Sequence, residues 1–200
     1  MKDAVEEFQK VMVDNTAKIN EAKKTLAEFQ EKAAAAIEAA RREEEKLLEL
    51  DKYKIIITPE CLVEINRLRE IAPYFKNPRP IYKIIWEGYY RNQFNEMISR
   101  IITSNNTTGI YKITNLKNQK TYIGQATDVN RRLKEHVKAG LGIDTPNNKL
   151  YTAMMSDGVE NFTFEFLEPC ESKDLNERES YWISFYKSQE HGYNMTKGNK

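Results

Sequence analysis

Apolar positions divide the chain before any single residue does. From Val5 they recur at alternating steps of three and four through Phe8, Met12, Ile19, Ala22, Leu26, Phe29, Ala33, Ala36 and Ala40, with Asn15 in the same seam. Neither proline nor glycine interrupts this pattern before Pro59. It predicts a long helix with a coiled-coil seam over residues 1–50. The alanines of 33–40 favour the helix but bury little side chain, so the seam asks for a closely packed partner. That partner is a second copy of the chain, in parallel, a helix of another protein, or the chain itself where the helix folds back on it. Asn15 would set register or oligomeric state.

Residues 51–103 read as a helical connector. A short apolar run at 53–58 breaks at Pro59, a helical segment covers 62–71, and Asn77-Pro78-Arg79-Pro80 makes a loop. A long aromatic helix then carries Ile81, Ile85, Trp86, Tyr89, Tyr90, Phe94, Met97, Ile98 and Ile101. So many apolar positions mark a core or an interface, although Lys83, Arg91 and Arg100 are interleaved with them.

Beyond residue 104 the period changes. Alternation over 108–113 and 120–124, with Asn115 and Asn118 between, predicts a β-hairpin. Residues 128–137 read as a helix with Asp128 as its N-cap, and 147–156 as a second helix ending near Gly158. Phe162, Phe164 and Phe166 line one face of a strand over 161–167. The helix over 175–186 turns Leu175, Trp182, Ile183 and Tyr186 inward.

Charge and cysteine content narrow the picture only a little. The 200 residues carry 31 basic and 30 acidic side chains, so sequence-independent affinity for nucleic acid should be modest and salt-sensitive. Arg131, Arg132, Lys134 and Lys138 form the best footprint for a phosphate backbone. Cys61 and Cys170 stand far apart, with no signal peptide and no membrane-length apolar run, which points to a reduced, cytoplasmic protein with no membrane partner. No Cys/His cluster suggests zinc, no P-loop an NTPase, and no Gly-x-Ser-x-Gly an acyl-transfer hydrolase.

The candidate chemistry lies in the last half. Gly109-Ile110-Tyr111 and Tyr122-Ile123-Gly124 sit on the two hairpin strands, so two phenols can converge, although cross-strand packing is the ordinary fate of such tyrosines. Arg132 and His136 are i, i+4 neighbours able to address one group. Arginine grips a phosphate with two parallel hydrogen bonds, and histidine exchanges protons near neutral pH; a solvated arginine and a surface histidine are the plainer readings. Glu179 shares the inward side of its helix with Leu175, Trp182 and Ile183, a costly place for a carboxylate unless a cation meets it. That cation is a divalent metal or the guanidinium of Arg132. Asn194, in Gly192-Tyr193-Asn194, could fix a water or phosphate oxygen, or be a turn residue. Glu177 points to water, and His191 reads as a surface residue.

In this order, the two tripeptides, the Asp-x-x-x-Arg helix, the Glu-x-x-Trp-Ile helix and the terminal Gly-Tyr-Asn make residues 108–194 resemble a complete GIY-YIG nuclease domain. The resemblance implies an α+β domain over 104–200, with a three-stranded antiparallel sheet flanked by helices and one divalent ion, Mg²⁺ or Mn²⁺. It also implies a DNA endonuclease. In that scheme Tyr111 is the base or water activator, Tyr122 assists it, Arg132 stabilises the transition state, and Glu179 holds the metal with Asn194 in support. His136 stands where some members place a catalytic histidine. One departure is plain: some homing-type members carry a further histidine after the first helix, and residues 140–148 contain none. A non-catalytic assembly or nucleic-acid-binding protein built on the same scaffold is the rival reading.

Overall fold

The hairpin forms where alternation places it. In a computed structural model, which describes residues 2–103, 105–143 and 148–196, β1 (Gly109–Asn115) and β2 (Thr121–Ala126) pair antiparallel. β3 (Phe162–Pro169) adds antiparallel to the other edge of β1, so the sheet order is β2-β1-β3. Asn115 and Asn118 make the turn by accepting the backbone N–H groups of Lys117 and Lys120 at 2.9 and 3.0 Å.

Each face of β1 is covered by different elements. Ile110 and Ile123 meet Leu175 and Ile183 of α7 (Leu175–Tyr186) on one side. On the other, Tyr111, Ile113, Phe162 and Phe164 join Val129, Leu133 and Val137 of α5 (Val129–Gly140) and Leu150 and Met154 of α6 (Lys149–Asp157). Asp128 caps α5 by accepting from Arg131 N, and Asn148 caps α6 by accepting from Tyr151 N, both at 2.9 Å. Caps of this type contribute about 1 kcal/mol each. Gly158 ends α6 with φ +87°, a conformation that glycine adopts without strain. Asn147, where that helix was expected to begin, lies outside the described residues, as do Met1, Ser104 and 197–200 at the ends of the expected segments.

The connector does not stand apart from the sheet. Thr58 and Pro59 open α2 (Pro59–Ile71), and α3 (Arg79–Ile85) runs through a π turn (Trp86–Tyr90) into α4 (Arg91–Ile101). Ile55, Ile65, Ile85, Trp86, Tyr90 and Phe94 belong to the same buried cluster as Tyr111 and Phe162. Arg69 bonds Tyr90 at 3.1 Å and Glu160 at 3.4 Å, and Tyr90 also donates to Glu160, tying α2 and the π turn to the approach to β3. Phe164 N donates to Tyr53 O at 2.8 Å beside a Lys54–Thr163 bridge, which lays the apolar run against β3. Residues 49–200 form one compact unit and residues 1–48 another. The physical reason is that an aromatic helix this apolar is stable only inside a shared core.

Taken by itself, α1 (Lys2–Asp51) carries its seam uncovered: Val5, Phe8, Met12, Ile19, Leu26 and Phe29 are all exposed. Surface pairs such as Lys18–Asp14 and Arg41–Glu38 add the small support usual for exposed i, i+3 and i, i+4 ions. No helix among the described residues is long and apolar enough to cross a membrane.

Candidate active site

Strand register brings the two phenols together. Tyr111 pairs with Gly124 and Ile113 with Tyr122, and directly paired residues share a face, so Tyr111 and Tyr122 are diagonal neighbours with ring centroids 6.4 Å apart. Gly124 leaves the space that the Tyr111 ring fills: a Cβ there would stand 2.3 Å from the phenol oxygen.

α5 sets Arg132 and His136 against these rings. His136 is only 1% exposed, and its Nε2 lies 2.8 Å from the Tyr111 oxygen. Its Nδ1 lies 3.0 Å from the phenol oxygen of Tyr151 on α6. Arg132 is half-buried, pairs with Glu135 at 3.0 Å, and extends its positive charge to both hairpin phenols.

Glu179 arrives from the opposite face of the sheet. Arg178 and Trp182 of α7 donate to Glu168 of β3 at 2.8 and 2.6 Å, while Leu175 and Ile183 dock under Ile110 and Ile123. This anchoring turns Glu179 toward the edge strand β2, where Gln125 Nε2 donates to it at 3.0 Å. Around that edge, Tyr122 and Glu179 line one open cavity of about 220 Å³ with Asn148, Ile183, Tyr193 and Asn194. Phenol and carboxylate thus reach one space from two faces of the sheet.

Residues 107–194 match the family model described as the GIY-YIG catalytic domain. The chain carries a GIY-YIG catalytic domain. It is 36% identical over 90 residues to intron-associated endonuclease 1 of Enterobacteria phage T4, covering 44% of this chain and 36% of that protein. The chain therefore spans about a third of the length of that curated relative. Two solved structures are also similar. One is the catalytic domain of homing endonuclease I-TevI, at 34% identity over 44% of this chain and 98% of that one, TM-score 0.41. The other is a mutant of the catalytic domain of intron endonuclease I-TevI, at 33% identity over 46% of this chain and 96% of that one, TM-score 0.40.

Within the GIY-YIG domain, depth distinguishes the tyrosines. Tyr111, expected as the group that activates water, is 1% exposed and absent from the cavity lining, whereas half-buried Tyr122 faces it. Burial pushes the Tyr111 phenol well above its ordinary value, Tyr122 adds to this, and Arg132 only partly opposes it. Tyr122 is raised too, by burial first, with Arg132 opposing and Glu179 adding. Desolvation thus outweighs the opposing charge of the half-exposed Arg132 guanidinium at both phenols.

His136 is enclosed behind the phenols and does not line the cavity. Burial, reinforced by Arg132, pushes its pKa from 6.5 down to about 3. The folded chain thus keeps the imidazole neutral where the unfolded chain protonates it. Its contribution to stability is full above pH 6.5 and falls as pH drops from 6.5 toward 3. Between pH 6.5 and 5 the loss should approach about 1.4 kcal/mol per pH unit in denaturant titrations, and His136→Gln should flatten that slope.

Asn194 is engaged with backbone. Its Oδ1 accepts from Ile123 N and its Nδ2 donates to Ile123 O, each at 2.8 Å, so it secures the strand that carries Tyr122. Asn194 also lines the cavity that Glu179 reaches. The basic residues of α5 also differ from a simple footprint: Lys134 and Lys138 place their ammonium groups 5.8 and 5.3 Å from the Trp86 ring centroid, and Arg131 pairs with Glu135. Glu177 and His191 are exposed, as their positions imply. Two residues of the site escaped sequence reasoning, Tyr151 and Gln125. Helical spacing placed Tyr151 beside the inward Leu150 and Met154, and register paired Gln125 with Ile110 on the face that α7 covers.

Proposed function

We propose that this chain is a metal-dependent endonuclease that hydrolyses DNA phosphodiester bonds and acts as an oligomer joined through α1. The observation that carries the reading is the cavity at the β2 edge, where the Tyr122 phenol and the Glu179 carboxylate meet beside a cationic Arg132. The donor set fits a hard divalent ion. Among the described residues no group of three His, Cys, Asp or Glu stands together, and Mg²⁺ or Mn²⁺ is content with one or two carboxylates completed by water and phosphate oxygens. Held by Glu179, such an ion would supply positive charge to the phosphate and acidify the attacking water.

The protein's own groups divide the remaining work. Tyr122, at the cavity, orients the attacking water, and Tyr111 stands one layer behind it. Arg132 remains cationic: burial opposes its charge, and the Glu135 carboxylate pairs with it at 3.0 Å. Its forked donors meet the nonbridging oxygens as negative charge builds in the transition state. With His136 enclosed, the leaving oxygen takes its proton from water. Arg131, Arg132, Lys134 and Lys138 supply positive charge along α5 for the phosphate backbone, with Lys134 and Lys138 held over the Trp86 ring and both arginines paired with Glu135. The exposed seam of Val5, Phe8, Met12, Ile19, Leu26 and Phe29 supports pairing with a second copy.

Supercoiled plasmid and a labelled single strand, incubated with the protein and EDTA, Mg²⁺ or Mn²⁺, test this directly. Cutting with either metal and none in EDTA is expected; intact DNA under all three conditions overturns the reading. Sedimentation of the same sample should give twice the mass of one chain, and a monomer at assay concentration removes the oligomer from it.

A further inference from the structure

We propose that Tyr151 is the outlet of a proton relay that runs from Tyr111 through His136. The inference rests on the nuclease reading above and concerns a residue outside the family's motif positions.

The geometry is a continuous chain of hydrogen bonds. The Tyr111 oxygen lies 2.8 Å from His136 Nε2, and His136 Nδ1 lies 3.0 Å from the Tyr151 oxygen, so both ring nitrogens face phenols. His136 is 1% exposed and Tyr111 is 1% exposed, which denies either of them direct exchange with bulk water. The groups around the imidazole are Tyr111 from β1, Tyr122 from β2, Arg132 on its own helix, and Tyr151 from α6. None of these is an anion at neutral pH that would hold an imidazolium in place. A neutral ring in such a pocket can accept a proton on one nitrogen only as it releases one from the other.

Proton bookkeeping follows from that constraint. As the attacking water gives up its proton to the phenol pair, the Tyr111 O–H proton passes to His136 Nε2. The Nδ1 proton passes to the Tyr151 oxygen, and the Tyr151 proton leaves to water. No net charge rests on the imidazole, and the number of protons entering equals the number leaving. Tyr151 is 4% exposed and lines neither cavity itself, so its proton leaves past Asn148, whose side chain stands beside that phenol and lines both the 220 Å³ cavity and an adjoining groove of about 810 Å³. The direction of transfer requires one tautomer at rest: Nδ1 carries the hydrogen and donates to Tyr151, and Nε2 accepts from Tyr111.

The chain has only two histidines, His136 and His191, so ¹⁵N NMR of histidine-labelled protein can read that tautomer without ambiguity. The buried ring of the wild type should show Nδ1–H, and Tyr151→Phe, which keeps the ring and removes the acceptor, should lose that preference. In the cleavage assay Tyr151→Phe should lower kcat by about 100-fold with KM nearly unchanged, in the range of a lost proton-transfer group. A wild-type Nε2–H tautomer overturns the relay without any variant. So does a correctly folded Tyr151→Phe protein that cuts at the wild-type rate. If the wild type itself cuts nothing with Mg²⁺ or Mn²⁺, the nuclease reading fails and the relay with it, an outcome distinct from failure at Tyr151 alone.

Discussion

A chain carrying Glu179→Ala is expected to bind DNA and leave it uncut. Glu179 is the acidic side chain among the described residues lining the β2-edge cavity, held there by Gln125 and by the docking of α7 under Ile110 and Ile123. Removing it deletes the carboxylate that a Mg²⁺ or Mn²⁺ ion requires, and with it the charge that offsets the transition state. The loss should exceed that of a single hydrogen-bond donor, reaching at least about 10³-fold in kcat. Binding should hold or tighten slightly, since a negative charge near the phosphate has gone. Glu179→Gln keeps the shape and should behave the same way, which isolates charge from packing. Because Glu179 is half-buried and its helix is anchored elsewhere, both variants should unfold close to the wild-type denaturant midpoint. Cleavage within tenfold of wild type in Mn²⁺ would show that the metal is not held here.

The second large effect is structural in origin. Gly124→Ala places a methyl group 2.3 Å from the Tyr111 oxygen and 2.4 Å from the ring carbon that bears it. The ring cannot swing away, since it is enclosed and tied through His136 to Tyr151. Overpacking at such a site costs about 1–3 kcal/mol, and the misplaced phenol should lower cleavage about 100-fold as well. Gly88→Ala is the matched control, because a Cβ there meets nothing within 4 Å. Chemical denaturation of both, followed by Gly124→Ala combined with Tyr111→Ala, makes the cause visible. Once the ring is gone the alanine at 124 should add little further cost, so the two substitutions are strongly non-additive. Simple additivity would mean that Gly124 serves something other than the tyrosine.

These two positions differ in how far they could be read beforehand. Glu179 announced itself by helical phase: a carboxylate on the same side as Leu175, Trp182 and Ile183 must face something, and i, i+4 spacing likewise put Arg132 and His136 on one side of their helix. Strand alternation predicted that Tyr111 and Tyr122 would share a face, and N-cap chemistry located the start of α5. The family resemblance completed the sheet. What spacing could not convey was depth. His136 and Arg132 lie one turn apart, yet one is sealed and the other half-open, because α6 closes over the histidine and leaves the arginine near the edge.

Local sequence determined the elements, their caps, the shared faces and the order of the candidate residues, since each of these depends on a period of two or 3.6 and on side chains a few positions away. Tertiary packing alone decided which phenol meets the cavity, that Asn194 grips the backbone of Ile123, that Tyr151 completes the histidine's hydrogen bonds, and that the connector belongs to the domain's core. Those outcomes depend on contacts between residues distant in sequence, 15 positions apart for His136 and Tyr151 and 71 for Ile123 and Asn194, and on desolvation, which a side chain acquires only from everything that packs around it.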